Sequence, residues 1–202
     1  MGIKERKERE KEELRQKILD AAAEILISQG IEKCTIRKVA ARIEYSPRTV
    51  YLHFEDKDHL LREIIEKGFE ISLGQMKETR REIDYSNPRE LISFQLRNNI
   101  NNAITAPHFY KAVVYLLHFK NYEAGPCQKQ LTEGVKEDIR KSYEHLGIEV
   151  ENIEEKTDLL FGMLRGFNLV MVNKKLKPGS PEAEKYIEMA INSMIDGILR
   201  FP

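Results

Sequence analysis

Between Thr35 and Phe54 the chain reads TIRKVAARIEYSPRTVYLHF, and this stretch constrains the fold more than any other. It fits two short helices joined by a tight turn. Thr35 stands where a side-chain oxygen caps the first helix, accepting from an amide that has no partner inside the helix. Val39, Ala40 and Ile43 then recur at helical spacing and form one apolar stripe. Glu44 and Tyr45 make the turn. Ser46 is a second N-cap, and Pro47 follows at the first helical position, where the missing N–H costs nothing. In the second helix Val50 and Phe54, four apart, face a core. Arg48, Thr49, Tyr51 and His53 are left to face outward. Two helices so spaced form a helix-turn-helix, whose second helix enters the major groove of DNA.

The segment resembles the signature of TetR-family transcriptional regulators. That signature is a Thr-initiated helix, then Ser-x-x-Thr-(Val/Leu)-Tyr-x-His-Phe, then a Lys-containing turn into a long helix. Ser46, Thr49, Val50, Tyr51, His53, Phe54 and Lys57 stand at the matching places. The resemblance covers roughly the first 65 residues of the chain. It departs from the pattern where the family's turn usually carries a small residue and Gly, here Ile43 and Glu44, and where Gly is usual in the second helix, here Arg48. The resemblance implies that Tyr51, His53 and Lys57 contact phosphates, that the C-terminal part binds an effector between its helices, and that the protein acts as a homodimer.

Charge supports the reading only locally. The net charge is zero, so the total points to no polyanionic partner. Residues 33 to 53, however, carry Lys33, Arg37, Lys38, Arg42 and Arg48 against Glu44 alone. Positive charge therefore gathers at the motif. Cys34 and Cys127 have neither CxxC spacing nor a paired-His motif, which fits two reduced thiols in a reducing compartment. The N-terminal stretch alternates charges and lacks the apolar run of a signal peptide. Leu159 to Val172 is the most apolar run, but it is short and holds Arg165 and Asn168. It reads as a buried helix, not a membrane span. A cytoplasmic location without membrane association is expected.

Helical periodicity and breakers divide the rest. Residues 4 to 29 read as one helix whose apolar stripe starts at Leu14, with Gly30 as its stop. Lys4, Arg6, Lys7 and Arg9 ahead of that stripe are either an arm that touches DNA or a solvated helix start. Asp56 or Asp58 caps a long helix to about Met76. Further helices span Pro88 to Thr105, Ala106-Pro107 to Lys120, Gln128 to Leu146, Asn152 to Asn173, and Glu182 to Leu199, with a loop at Lys177 to Pro181. No alternating strand pattern appears. The expected fold is all-α with about nine helices: a three-helix helix-turn-helix domain over residues 1–56 and a helical ligand-binding and dimerisation domain over 57–202.

Three constellations carry candidate chemistry. The first is the DNA-binding set Thr35, Arg37, Ser46, Pro47, Arg48, Thr49, Tyr51, His53 and Lys57. Backbone N–H groups near Ser46 suit a phosphate. Arg48 reaches a phosphate or a guanine edge, and Thr49 a thymine methyl or a phosphate. Packing inside a small domain is the competing role for Tyr51 and His53. The second is a set of effector-binding candidates: Phe94, Asn98, Asn101, Tyr110, Tyr115, His118, Phe119, Tyr122, Met163 and Phe167. Aromatics and Met with a few polar tips describe a pocket for a small, mostly apolar or aromatic molecule, and equally an ordinary core. The third is a dimer interface on the last two helices. Gly162 and Gly166 permit close approach of a second helix, and Ile187, Ala190, Ile191, Met194 and Ile198 form a broad stripe. Packing within one protomer is the alternative.

Catalysis has no such support. The sequence lacks the nucleophile elbow, phosphate-binding loop and zinc-protease motifs. Its five histidines, His53, His59, His108, His118 and His145, show no metal-ligand spacing, so no catalytic residue, metal or cofactor is expected. The sequence thus points to a non-enzymatic DNA-binding transcriptional regulator: a repressor released by a ligand, acting as a homodimer on a palindromic double-stranded operator. The alternatives are a DNA-binding regulator without an effector, and a helical binding protein or enzyme reusing the C-terminal domain.

Overall fold

A computed structural model of the chain describes residues 2–79, 84–117, 122–149 and 151–200. Nine α-helices and no strand are found among them: α1 (Ile3–Gln29), α2 (Ile36–Arg42), α3 (Pro47–Tyr51), α4 (Lys57–Thr79), α5 (Pro88–Thr105), α6 (Pro107–Leu117), α7 (Pro126–His145), α8 (Ile153–Lys174) and α9 (Pro181–Met194). A single π turn, Ile195–Leu199, continues α9. The all-α expectation holds, and the helix boundaries fall close to those read from breakers and caps.

The caps explain why. Ser46 Oγ accepts from the Thr49 amide at 3.2 Å, Asn87 Oδ1 from that of Glu90 at 3.2 Å, and Ser180 Oγ from that of Ala183 at 3.3 Å. Each capping residue is followed by Pro at the first helical position, so α3, α5 and α9 share one starting device. Asp56, not Asp58, caps α4 through a 2.7 Å bond from the His59 amide. Gly30 closes α1 at φ 84° while its amide donates to Leu26 at 2.9 Å.

The chain forms two compact units. The first comprises Met1–Phe69 and His108–Gly125, so it holds α1–α3, the first half of α4, and α6 from its second residue onward. Its core is built from Ile18, Ala22, Ile25 and Leu26 of α1, Val39 and Ala40 of α2, Val50 and Phe54, and Leu60, Leu61 and Ile65 of α4, with Ala112 and Leu116 of α6. Cys34 is buried in this core, where desolvation pushes its thiol up from the ordinary value and keeps it protonated.

The second unit comprises Glu70–Pro107 and Pro126–Pro202. Its core joins Ile92, Leu96 and Ile100 of α5, Ile139 and Tyr143 of α7, Leu160, Leu164 and Met171 of α8, and Ile187, Ile191 and Met194 of α9. Polar side chains enter this interior with partners, among them Asn168 and Asp138. Asn168 donates to Asn99 Oδ1 at 2.8 Å. The buried Asp138 accepts from Gln95 at 2.6 Å and from the Tyr85 hydroxyl at 3.1 Å. Among the described residues no helix is long and apolar enough to cross a membrane.

Candidate DNA-binding surface

The helix-turn-helix is built from both of its caps. Thr35 Oγ1 accepts from the Lys38 amide at 3.3 Å and starts α2. Ile36, Val39 and Ala40 bury one side of α2. The chain then reverses through Glu44, whose φ of 63° places it in the left-handed region that Gly adopts freely. The Tyr45 amide donates back to Ala40 at 3.0 Å and pins the turn. Tyr45 also lies under the Lys17 ammonium, 5.5 Å from its ring centroid.

α3 is only five residues long. Val50 and, just beyond the helix, Phe54 are its buried anchors, each worth roughly 1.5–3 kcal/mol. Everything else in and beside α3 lies on or near the surface. Arg48 is exposed, Tyr51 is 55% exposed and Leu52 72% exposed. Thr49 is half-buried, and its hydroxyl lies 3.0 Å from Ser46 Oγ. Leu52 was not among the sequence candidates. Its spacing of four from Arg48 on the same face was the available signal, masked by its apolar side chain.

The cations of the motif divide into two sets. Arg42 is held by Glu24 at 2.6 Å, and Lys38 donates to Gln29. Arg37 and Arg48, both exposed, form no ion pair among the described residues. Lys57 Nζ donates to the Ile31 carbonyl at 2.8 Å, so it ties the start of α4 to the loop after α1. His53 is half-buried, and its Nδ1 lacks a partner among the described residues. Its pKa is held below the ordinary imidazole value, first by burial and then by the charges of Lys11 and Arg15, with Glu12 opposing. His53 is therefore neutral near pH 7. Arg15 binds Glu63 and lies 5.0 Å above the Phe54 ring, and His59 Nε2 meets the same carboxylate at 2.9 Å. These contacts fix the end of α3 against α1 and α4.

The profile of the bacterial regulatory proteins of the tetR family matches residues 18–64, the segment from the packed part of α1 to the start of α4. The HTH-type transcriptional regulator SrpR of Pseudomonas putida is 36% identical over 56 residues, covering 28% of this chain and 26% of that protein. The matched segment thus spans about a quarter of the length of that relative. Residues 18–64 are thus similar to the DNA-binding region of the TetR family.

Over the whole chain the fold is that of solved TetR-type structures. RolR with resorcinol bound superimposes with a TM-score of 0.70 at 16% identity, covering 94% of this chain and 89% of that one. FadR from Bacillus subtilis in complex with stearoyl-CoA gives 0.67 at 14% identity, covering 93% and 99%. The likeness to transcriptional regulators in sequence is confined to this segment, and over the rest of the chain it is a likeness of fold. No group of three or more metal-ligating side chains occurs among the described residues.

The remaining sequence candidates scatter. Tyr110 and Tyr122 are half-buried in the first unit, Tyr122 packed on its core. Tyr115, of the same unit, is 39% exposed. In the second unit Phe94 and Asn98 are exposed, Asn101 is half-buried with Oδ1 lacking a partner among the described residues, and Phe167 packs on the core. Met163 is exposed on α8. His118 and Phe119 lie outside the described residues.

The stripe on α9 takes the alternative role of packing within its own protomer. Ile187, Ile191, Met194 and Ile198 are buried in the core of their own unit. Periodicity identified an apolar face and could not say which body it meets. Ala190 is half-buried, and Gly162 and Gly166 are exposed with open space around them. Leu159, Met163 and Val170 share that side of α8 and are also exposed, as is Met189 of α9.

Proposed function

We propose that this chain is a ligand-released transcriptional repressor that binds a palindromic operator as a homodimer. The observation that carries the reading is α3: a helix capped by Ser46, anchored by Val50 and Phe54, and presenting Arg48, Tyr51 and Leu52 to solvent. Arg48 and Thr49 read bases. Thr35, Arg37, Ser46 and Pro47 approach phosphates through the two helix starts, and Tyr51, His53 and Lys57 do so beyond α3. Residues 1–56 form the DNA-binding domain and 57–202 the effector and dimer domain, in the cytoplasm.

The dimer is assigned to the open side of α8. Leu159, Gly162, Met163, Gly166 and Val170 recur at three- and four-residue steps and leave an apolar strip in solvent. Exposed apolar area of this kind favours association, and Met189 and Ala190 of α9 extend it. In the dimer two recognition helices about 34–36 Å apart fit successive major grooves. The effector is a small, mostly apolar or aromatic molecule. Resorcinol and stearoyl-CoA, bound by the structurally similar RolR and FadR, are respectively aromatic and acyl compounds. A preference of about 1.4 kcal/mol for the released state shifts the equilibrium tenfold.

The test is selection from random-sequence duplex DNA with the purified full chain, followed by a screen of aromatic and acyl compounds for release. A selected palindrome released by one compound supports the reading. No sequence-specific binding removes it.

A further inference from the structure

We propose that the N-terminal extension of α1 is a DNA-clamping arm, laying a lysine stripe along phosphates outside the recognition-helix footprint. The proposal rests on the DNA-binding reading above. α1 starts at Ile3, yet its first buried residue is Ile18. Lys4 to Glu13 are exposed throughout. Lys4–Glu13 is therefore a helical rod, about 15 Å long, that adds nothing to the core.

Its charges are sorted by face. Arg6 pairs with Glu10 at 3.0 Å and Arg9 with Glu13 at 3.5 Å. These i,i+4 pairs support the rod and occupy one side of it. Lys4, Lys7 and Lys11 recur at three- and four-residue steps on another side, and none of them is ion-paired to a carboxylate among the described residues. Arg15 continues the same stripe and fixes its direction, because its guanidinium sits on Glu63 and over Phe54.

The rod also runs beside the end of the recognition helix. Glu8, Arg9, Lys11, Glu12 and Arg15 line a cleft whose far side is Leu52 and His53. Lys11 and Arg15 act electrostatically on His53, so the cationic stripe reaches the residues just beyond α3. Glu8 and Glu12 flank it within the cleft. Formal charge over the rod is balanced, and the segregation of the lysines is what gives it a basic edge.

That edge suits a duplex. Lys4 to Lys11 spans about 10 Å of helix, and B-DNA presents a charge every ~1.7 Å of its axis. The rod has no apolar face between Ile3 and Leu14, so it lacks what a helix needs to enter a lipid surface.

The test uses the full chain on its selected duplex and on a mixed-sequence duplex. With Lys4, Lys7 and Lys11 all changed to Gln, the slope of log K against log salt should fall by about 2 to 3, at about 0.9 per lost phosphate contact. Hydroxyl-radical protection should shrink at its outer edges while the central pattern stays. Arg6→Gln with Arg9→Gln should leave slope and footprint unchanged, and Lys→Arg at the three stripe positions should retain both. An unchanged slope for the Lys→Gln variant, or an equal loss from the Arg6 and Arg9 changes, overturns the arm. Failure of the unaltered chain to bind any duplex overturns the DNA-binding reading instead.

Discussion

The ring of Phe109 fills the space that a side chain at Gly68 would need. A Cβ on Gly68 would stand 2.8 Å from Phe109 Cε2 and 3.2 Å from Cε1, closer than carbon atoms pack. The first turn of α6 is thereby seated directly on the backbone of α4. His108 makes a similar approach to Gly30, at 2.9 Å from the position a Cβ would take. Two successive residues of α6 thus lie against two glycines of the same compact unit.

Gly68→Ala should therefore destabilise the protein by about 1–3 kcal/mol, the usual cost of overpacking, even though Ala is the better helix former. Urea denaturation measures this. Adding Phe109→Leu should recover part of the loss. Simple additivity of the two changes would mean that they do not share this contact.

Glu44→Gly should leave stability unchanged or raise it by up to about 1 kcal/mol. The left-handed backbone at φ 63° costs a non-glycine residue about 1–2 kcal/mol, which the extra unfolded-state freedom of Gly offsets in part. Val at this position should be worse than Glu. A Gly variant that melts well below the parent would show that the Glu44 side chain supports the turn.

Arg48→Ala should weaken operator binding by about 1–3 kcal/mol and relax preference at one base position. The folded protein should be unaffected, since Arg48 is exposed. Binding titrations across single-base operator variants give the answer. Equal weakening on every variant would move Arg48 to a phosphate.

The depressed pKa of His53 sets a direction for stability. The folded value lies below the unfolded one of about 6.5, so on acidification the unfolded chain takes up the proton first. Stability from this group is present above about pH 6.5 and is lost as pH falls through the folded pKa. Denaturation of the parent and of His53→Gln across that range should diverge, with the parent losing more. Parallel curves would leave His53 without this role.

Gly166→Leu should abolish dimerisation while the protomer remains folded, because nothing lies within 4 Å of a Cβ at that position. Light scattering and circular dichroism separate the two outcomes. A dimer of unchanged affinity would place the interface elsewhere.

What the sequence revealed follows the range of the forces involved. Caps at Thr35, Ser46 and Gly30 are local events, decided within four residues, and they were legible. The helix-turn-helix was legible for the same reason. The seating of Phe109 on Gly68 joins residues far apart in sequence, and no periodicity reports it. The face of α9 shows the limit most sharply. Ile187 and Ile191 had to be buried somewhere, and only packing in three dimensions told the protomer's own core from a partner. Phe94 and Tyr115 gave the converse case, since aromatic side chains placed on inward stripes are substantially exposed.

A five-residue helix is too short to persist by its own hydrogen bonds, so α3 exists because Ser46, Val50 and Phe54 hold it from outside the surface it presents. The residues at that surface, Arg48, Tyr51 and Leu52, are mostly spare to the fold. On the proposed DNA-binding function, such a division of labour lets base preference drift by substitution at those positions while thermal stability stays put. Operator choice then becomes an evolvable trait, separable from the architecture that displays it.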